Sequence, residues 1–182
     1  MRVLGLMSLI WLGLVPACAH RAAPAGTSAG LATGAAAHDA GLANGLYAVL
    51  RESSTADSAR VDAPGSAVLV YDRKYTDADP AVPPTWVALD TARFVPLILS
   101  GPPDAKKDGR GWTMLEVTLA SEQVRPLEEF TRAHLGGRVA IVLGGEVISE
   151  HKVRAVVEGG KLQITRCGDN ACDVLRVKLA GR

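Results

Sequence analysis

Residues 137–148 read Gly-Arg-Val-Ala-Ile-Val-Leu-Gly-Gly-Glu-Val-Ile, and this stretch decides the fold. Residues 138–143 are a nearly continuous apolar run rich in β-branched side chains, which predicts a buried strand. Gly144-Gly145 suits a two-residue turn whose positions need positive φ. That turn returns residues 146–148 antiparallel to the first strand. The stretch therefore predicts a β-hairpin.

A strand and a helix are predicted just before this hairpin. Residues 112–119 alternate loosely between apolar and polar side chains, as a half-buried strand does. Ser121 is a suitable N-cap, and Pro126 places the firm start of the helix near Arg125, because proline is tolerated in a first turn. Gly136-Gly137 ends the helix. Apolar residues recur at helical spacing at Val124, Leu127 and Phe130.

The chain after the hairpin predicts a second hairpin closed by a disulfide. Residues 149–157 are ambiguous between an irregular edge and a short helix, and Gly159-Gly160 turns the chain into the next strand. A loop over residues 168–171 places Cys167 opposite Cys172. The same register pairs Ile164 with Leu175, Leu162 with Val177, and Arg166 with Asp173. A redox or metal site at this pair is the alternative, but it lacks partner ligands at usable spacing.

Shorter strand-like runs fill the first half of the domain. They cover residues 46–50, 67–71, 86–89 and 94–99, with Pro96 suggesting an edge position or a bulge in the last. The order is strand, helix, hairpin, loop, hairpin. We expect an α+β domain in which a helix packs on an antiparallel sheet.

The N-terminus predicts export and lipid anchoring. Residues 3–15 are apolar and uncharged, too short for a span of about 20 residues but suited to a signal peptide. Val15-Pro16-Ala17-Cys18 resembles the lipobox of bacterial lipoproteins, in which the cysteine is acylated, as with palmitate. The alternative is an ordinary signal peptide cut near Ala19. We expect lipidation at Cys18 and no membrane-spanning segment later in the chain.

These assignments divide the chain into a signal peptide at 1–17, a lipidated cysteine with an Ala/Gly-rich linker at 18–44, and one domain at 45–182. The formal net charge of +1 and the interspersed charges give no support to nucleic-acid binding. Nothing in the sequence indicates a cofactor or a metal ion. Ala19 is not acidic, which favours the outer over the inner membrane for a lipoprotein facing the periplasm.

Residues 113–166 resemble a known module, the periplasmic P1 head of SecD, a membrane subunit of the bacterial protein-export machinery. The matching features are the strand before the helix, Phe130-Thr131, residues 137–143, Val147-Ile148-Ser149, and the return from Gly159-Gly160 to residues 163–165. Gly144-Gly145 replaces the Asp-Gly usual at the hairpin turn. The resemblance implies the fold of the head and contact with unfolded or exported polypeptide, but no motor activity, because SecD works through a bundle of transmembrane helices that this sequence does not predict. The partners we expect are exported polypeptide, the translocase or another envelope protein.

No catalytic constellation stands out. Ser149-Glu150-His151 contains nucleophile, acid and base types, but adjacent residues in a strand rarely converge on one point, so we interpret them as a polar surface. The free sheet edges near residues 94–99 and 147–153 favour strand addition by a partner. We therefore predict a non-enzymatic interaction module whose contact surface includes Val147, Ile148, Ser149, Glu150 and His151.

Two other functions remain open on the sequence. One is a small-ligand-binding or structural envelope lipoprotein that reuses the fold, and the other is an enzyme with a site assembled from loops. A deep polar pocket favours ligand binding or catalysis, whereas a shallow apolar groove beside a free strand edge favours polypeptide binding.

Overall fold

The computed structural model describes residues 41–79, 81–168 and 170–180. The signal peptide, Cys18 and most of the predicted linker lie outside these residues. The elements are β1 (Gly45–Ser53), α1 (Ala56–Ala59), β2 (Ser66–Tyr71), β3 (Thr85–Pro96), β4 (Asp104–Lys107), β5 (Thr113–Thr118), α2 (Ser121–Ala133), β6 (Arg138–Leu143), β7 (Glu146–Lys152), β8 (Lys161–Arg166) and α3 (Ala171–Ala180).

The strands form two antiparallel sheets. The larger has five strands in the order β2-β3-β1-β6-β7, and the smaller has three in the order β4-β5-β8. The larger sheet is curled, so that its edge strands β2 and β7 lie beside each other. The α+β class is confirmed.

The hairpin predicted from residues 137–148 is present in the structure. β6 and β7 pair antiparallel from Arg138↔Lys152 to Leu143↔Glu146. Gly144 and Gly145 have φ values of 59° and 77°, the left-handed conformation that a tight hairpin turn requires. β6 is buried from Val139 to its end, as its continuous apolar run predicts.

The helix α2 begins at Ser121, earlier than the start near Arg125 that Pro126 predicts. The backbone N–H of Ala120 donates to the carbonyl of Ile98 at 2.8 Å, so the chain is fixed in an extended conformation up to that residue. The helix turns directly after it and contains Pro126. Its inward face carries Leu127 and Phe130, as the helical spacing predicts.

Residues 94–99 connect the larger sheet to the smaller one. β3 runs through Phe94 to Pro96 and pairs with β1, and Leu99 then forms a bridge with Leu119 beside β5. The pairing with β1 occupies one edge of residues 94–96, and β2 pairs with β3 only as far as Asp90. Strand addition by a partner at the other edge stays a prediction.

The C-terminal strand of the predicted hairpin is instead the helix α3. Its buried residues are Ala171, Cys172, Leu175 and Leu179, a helical rather than an alternating spacing. Val177, which the hairpin register buries, is 72% exposed. Thr76, in the segment after β2, forms a bridge with Cys167 at the end of β8.

The disulfide between Cys167 and Cys172 is present, with Cα atoms 5.3 Å apart. It joins the end of β8 to the first turn of α3. Both half-cystines belong to the main core, which lies between the sheets and against α2 and α3. A second buried cluster fills the other face of the curled sheet and includes Tyr47, Tyr71 and Val147.

Candidate functional site

The predicted contact surface lies mainly inside the domain. Val147, Ile148 and Ser149 are 2%, 0% and 2% exposed, and the Glu150 side chain is 1% exposed. β7 is buried on both faces because the curled sheet encloses one face and the main core covers the other. These side chains therefore cannot meet a partner directly, and the accessible part of the strand begins at His151.

Ser149 and His151 converge, which the sequence interpretation did not expect. Their Oγ and Nε2 atoms are 3.1 Å apart, since residues two apart share one face of a strand. Both atoms also face the carbonyl oxygen of Ile164 on β8, to which the Ser149 hydroxyl donates and from which Nε2 lies 2.9 Å. In the tautomer that carries its proton on Nε2, His151 donates to this carbonyl and cannot take a proton from Ser149. In that state the pair ties β7 to β8.

The Glu150 carboxylate points away from this pair. Its Oε1 accepts from the Nε of Arg138, and Arg138 also lies 3.8 Å from Glu52. Among the described residues no group donates to the buried Oε2 of Glu150. Ser149, Glu150 and His151 thus serve two separate contacts, and they do not form a catalytic triad.

Glu146, at the start of β7, is the most strongly perturbed acid of the described residues. Lys178 and Lys74 (2.7 Å) bind its carboxylate, and the Tyr75 hydroxyl donates to it at 2.9 Å. Hydrogen bonds from Lys178, then Lys74, lower the pKa of Glu146 from 4.5 to about 2. The cluster joins β7 to α3 and to the segment after β2.

Glu146→Gln is expected to lower the free energy of unfolding by about 1 kcal/mol at neutral pH, a value reduced by solvent because the side chain is 38% exposed. Because the pKa of Glu146 is lower in the folded than in the unfolded protein, its carboxylate stabilises the fold at pH values above the unfolded pKa of 4.5. This contribution disappears as the pH falls towards the folded-state pKa of about 2. Urea unfolding at pH 7 and pH 2.5 measures it, with Glu158→Gln, which makes no ion pair with a described residue, as the control. Equal losses at both pH values would contradict the assignment.

An apolar cavity of about 290 Å³ lies where the edges of β7 and β8 diverge. Its floor comes from β1, β6 and β8, and its wall is the irregular segment 153–157. The apolar residues that line it are Leu46, Val139, Ile141, Val153, Ala155, Val156, Val157 and Leu162.

The wall segment is fixed to α2 and to the turn before β6. Val153 exchanges backbone hydrogen bonds with Gly136 (2.8 Å) and Gly137 (2.9 Å). The N–H of Val157 donates to the buried hydroxyl of Thr131 at 3.1 Å. The cavity is therefore built into the fold. Of the ambiguous residues 149–157, the first four belong to β7 and residues 153–157 form the cavity wall.

The outer edge of β7 is open beside this cavity. Both backbone groups of Val153 face β6, so the alternation of an antiparallel ladder directs those of Lys152 away from it. No described residue forms a backbone hydrogen bond with Lys152 on that side. An apolar cavity thus adjoins an unpaired strand position.

A second, polar pocket of about 390 Å³ lies on the other side of the Ser149–His151 contact. It is lined by charges of both signs, including Arg73, Asp77 and Arg166. Among the described residues no cluster of histidine, cysteine and acidic side chains has a metal-binding arrangement. No helix in the described ranges has the length and apolar character of a membrane span.

Residues 103–173 match the sequence model of the SecDF P1 head subdomain. The resemblance expected for residues 113–166 is confirmed, and the matched region contains every cavity-lining residue except Leu46. The chain therefore contains a region similar to this subdomain.

Two solved structures are also similar. One, described as the structure and function of a membrane component SecDF that enhances protein export, is 28% identical, covers 45% of this chain and 37% of that chain, and has a TM-score of 0.41. The other is a crystal structure of SecDF in a super-membrane-facing form, with 29% identity, coverage of 46% and 12%, and a TM-score of 0.41. This chain thus spans less than half the length of either SecDF chain. No curated protein matches it.

Proposed function

We propose that this protein is a non-enzymatic envelope lipoprotein whose P1-head-like module binds exported polypeptide. The family match over residues 103–173 supports a role linked to protein export. The observation that carries the proposal is the apolar cavity beside the unpaired edge of β7. The Ser149–His151 geometry, in which both groups bond to the Ile164 carbonyl, supports a role without catalysis.

The binding mode follows from these two features. An extended segment of the client pairs with the backbone of Lys152, and one of its apolar side chains enters the cavity. Backbone pairing contributes affinity without sequence preference, while the cavity selects an apolar residue. A module of this kind accepts many unfolded clients and no folded ones.

Binding of an unfolded exported protein to the purified domain tests this function. Val156 is half-buried in the cavity wall, and Val156→Asp is expected to weaken binding at least about tenfold by placing a charge in an apolar site. Val177→Asp adds the same charge at an exposed site on α3 and serves as the control. Absence of binding by the wild-type domain, or equal loss in both variants, would overturn the proposal.

We infer that the domain is held at the membrane by lipid on Cys18. The apolar run at residues 3–15 followed by the lipobox-like sequence supports this. Cys18→Ala is expected to abolish labelling by palmitate and to move the protein from the membrane to the soluble fraction, because the variant lacks the thiol that carries the lipid. Ala19→Asp retains the cysteine, and it should shift the protein from outer to inner membrane without releasing it. Unchanged membrane binding of Cys18→Ala would contradict the anchor.

A small-ligand-binding envelope lipoprotein is the alternative function. The cavity volume of about 290 Å³ is at the lower end for a small-molecule site, and this observation favours it. Crosslinking in intact cells separates the two, because a polypeptide partner yields protein adducts whereas a small ligand yields none.

A further inference from the structure

The mouth of the apolar cavity carries only positive charge. Lys152, Arg154 and Lys161 line it, and all three are exposed. None of them lies within 4.0 Å of a carboxylate among the described residues. Their charges are therefore available to a bound molecule.

No acidic residue lines the cavity. Glu150, the neighbour of His151, is turned to the opposite side and held by Arg138. Glu128 lies behind the wall segment, where its carboxylate accepts from the N–H of Gly159 at 3.3 Å. Glu158 belongs to the turn beyond the wall. The field at the mouth is consequently positive, and an apolar cavity wall limits its screening by water.

The three cations surround the unpaired edge position. Lys152 is that position itself, Arg154 follows it in the wall, and Lys161 begins β8 across the opening. A segment paired with Lys152 would place the residues on either side of its buried side chain near these charges. Edge lysines also discourage unwanted strand pairing, so a client must offer complementary charge.

We propose that this site selects apolar polypeptide segments flanked by acidic residues and rejects those flanked by basic residues. This inference rests on the proposed function and names its substrate class. Lys152, Arg154 and Lys161 determine the specificity, and the cavity supplies the apolar contact. Charge of this kind governs discrimination and association rate more than total affinity.

Three synthetic peptides test the inference. They share an apolar core of alternating leucine and valine and carry pairs of aspartate, asparagine or lysine at both ends. In fluorescence anisotropy at low salt, the aspartate peptide is expected to bind the wild-type domain about tenfold more tightly than the lysine peptide. The difference should largely vanish near 1 M salt, where the Debye length is about 3 Å.

A charge-reversed variant assigns the effect to these residues. Lys152→Glu, Arg154→Glu and Lys161→Glu together should invert the order of the aspartate and lysine peptides. The control reverses three exposed cations outside the cavity, Arg93→Glu, Lys107→Glu and Arg110→Glu, for the same change in net charge. The control should keep the wild-type order, and thermal unfolding verifies that both variants fold.

The outcomes separate this inference from the proposed function. Equal binding of all three peptides, or an inverted order in the control variant as well, would overturn the charge preference and leave polypeptide binding intact. Failure of every peptide to bind would overturn both. Saturable binding of dodecanoate without binding of any peptide would also overturn both, and would identify a site for anionic amphiphiles.

Discussion

Leu175→Ala is expected to lower the free energy of unfolding by about 2–5 kcal/mol, and Val177→Ala to change it by less than about 0.5 kcal/mol. Leu175 is fully buried in the main core, where truncation leaves a cavity, whereas Val177 is 72% exposed on the same helix. Alanine also has a higher helix propensity than valine, which offsets any small loss at Val177. Urea unfolding followed by circular dichroism measures both values.

This pair of substitutions distinguishes a helix from a strand at the C-terminus. If this segment were a strand, Leu175 and Val177 would lie two residues apart on the same face, and both side chains would face the core. Both truncations would then lower the free energy of unfolding substantially. On α3 only Leu175 faces inward. Similar losses at the two positions would show that the helix assignment is wrong.

Arg138→Met is expected to destabilise the domain by about 3 kcal/mol, because it leaves the Glu150 carboxylate buried without its cation. The Glu150 side chain is 1% exposed, while that of Arg138 is 51% exposed. The expected loss is therefore at the lower end of the range for broken buried pairs. Chemical unfolding at neutral pH gives the value.

The double variant Arg138→Met with Glu150→Met should return to within about 1 kcal/mol of the wild type, since no uncompensated charge then remains. Arg125→Met is the matched control, because its pair with Glu129 lies on the surface, with side chains 86% and 57% exposed. Its loss should be below about 0.5 kcal/mol. A double variant as unstable as Arg138→Met alone would show that the charge of Glu150 is not the cause.

Local sequence signals predicted the centre of this fold well. The apolar run of β6 and the paired glycines at 144 and 145 need only neighbouring residues to specify a hairpin, and that hairpin is present. The Ser149–His151 contact could also have been anticipated, because residues two apart share a face. Its target, the Ile164 carbonyl, could not, since it belongs to another sheet.

The prediction of a C-terminal hairpin was wrong because a hairpin and a helix both satisfy the same local sequence pattern. A hairpin register aligns Cys167 with Cys172 and Leu162 with Val177, and a helix brings the same cysteines together in the first turn of α3. In the structure the helix buries Leu175 and Leu179 in the main core, against residues that are distant in the sequence. Nothing near the two cysteines indicates that packing.

The sequence did not predict the cavity either, because the cavity also depends on contacts between residues that are distant in the sequence. Its wall, residues 153–157, has no clear periodicity, and its position depends on hydrogen bonds to Thr131 and to the Gly136-Gly137 turn. The predicted contact surface lay in the adjoining stretch of β7. Curling of the sheet buried that stretch, and sheet curvature is a property of all five strands together.

The position of the Cys167–Cys172 bond makes the attachment of the C-terminal helix depend on redox conditions. Closing so short a loop contributes about 2 kcal/mol in the chain-entropy estimate, and reducing compartments do not maintain such bonds. A newly made chain that is still reduced therefore lacks part of its final stability at the β8–α3 junction. Oxidation of this pair therefore completes the stability of the junction between β8 and α3.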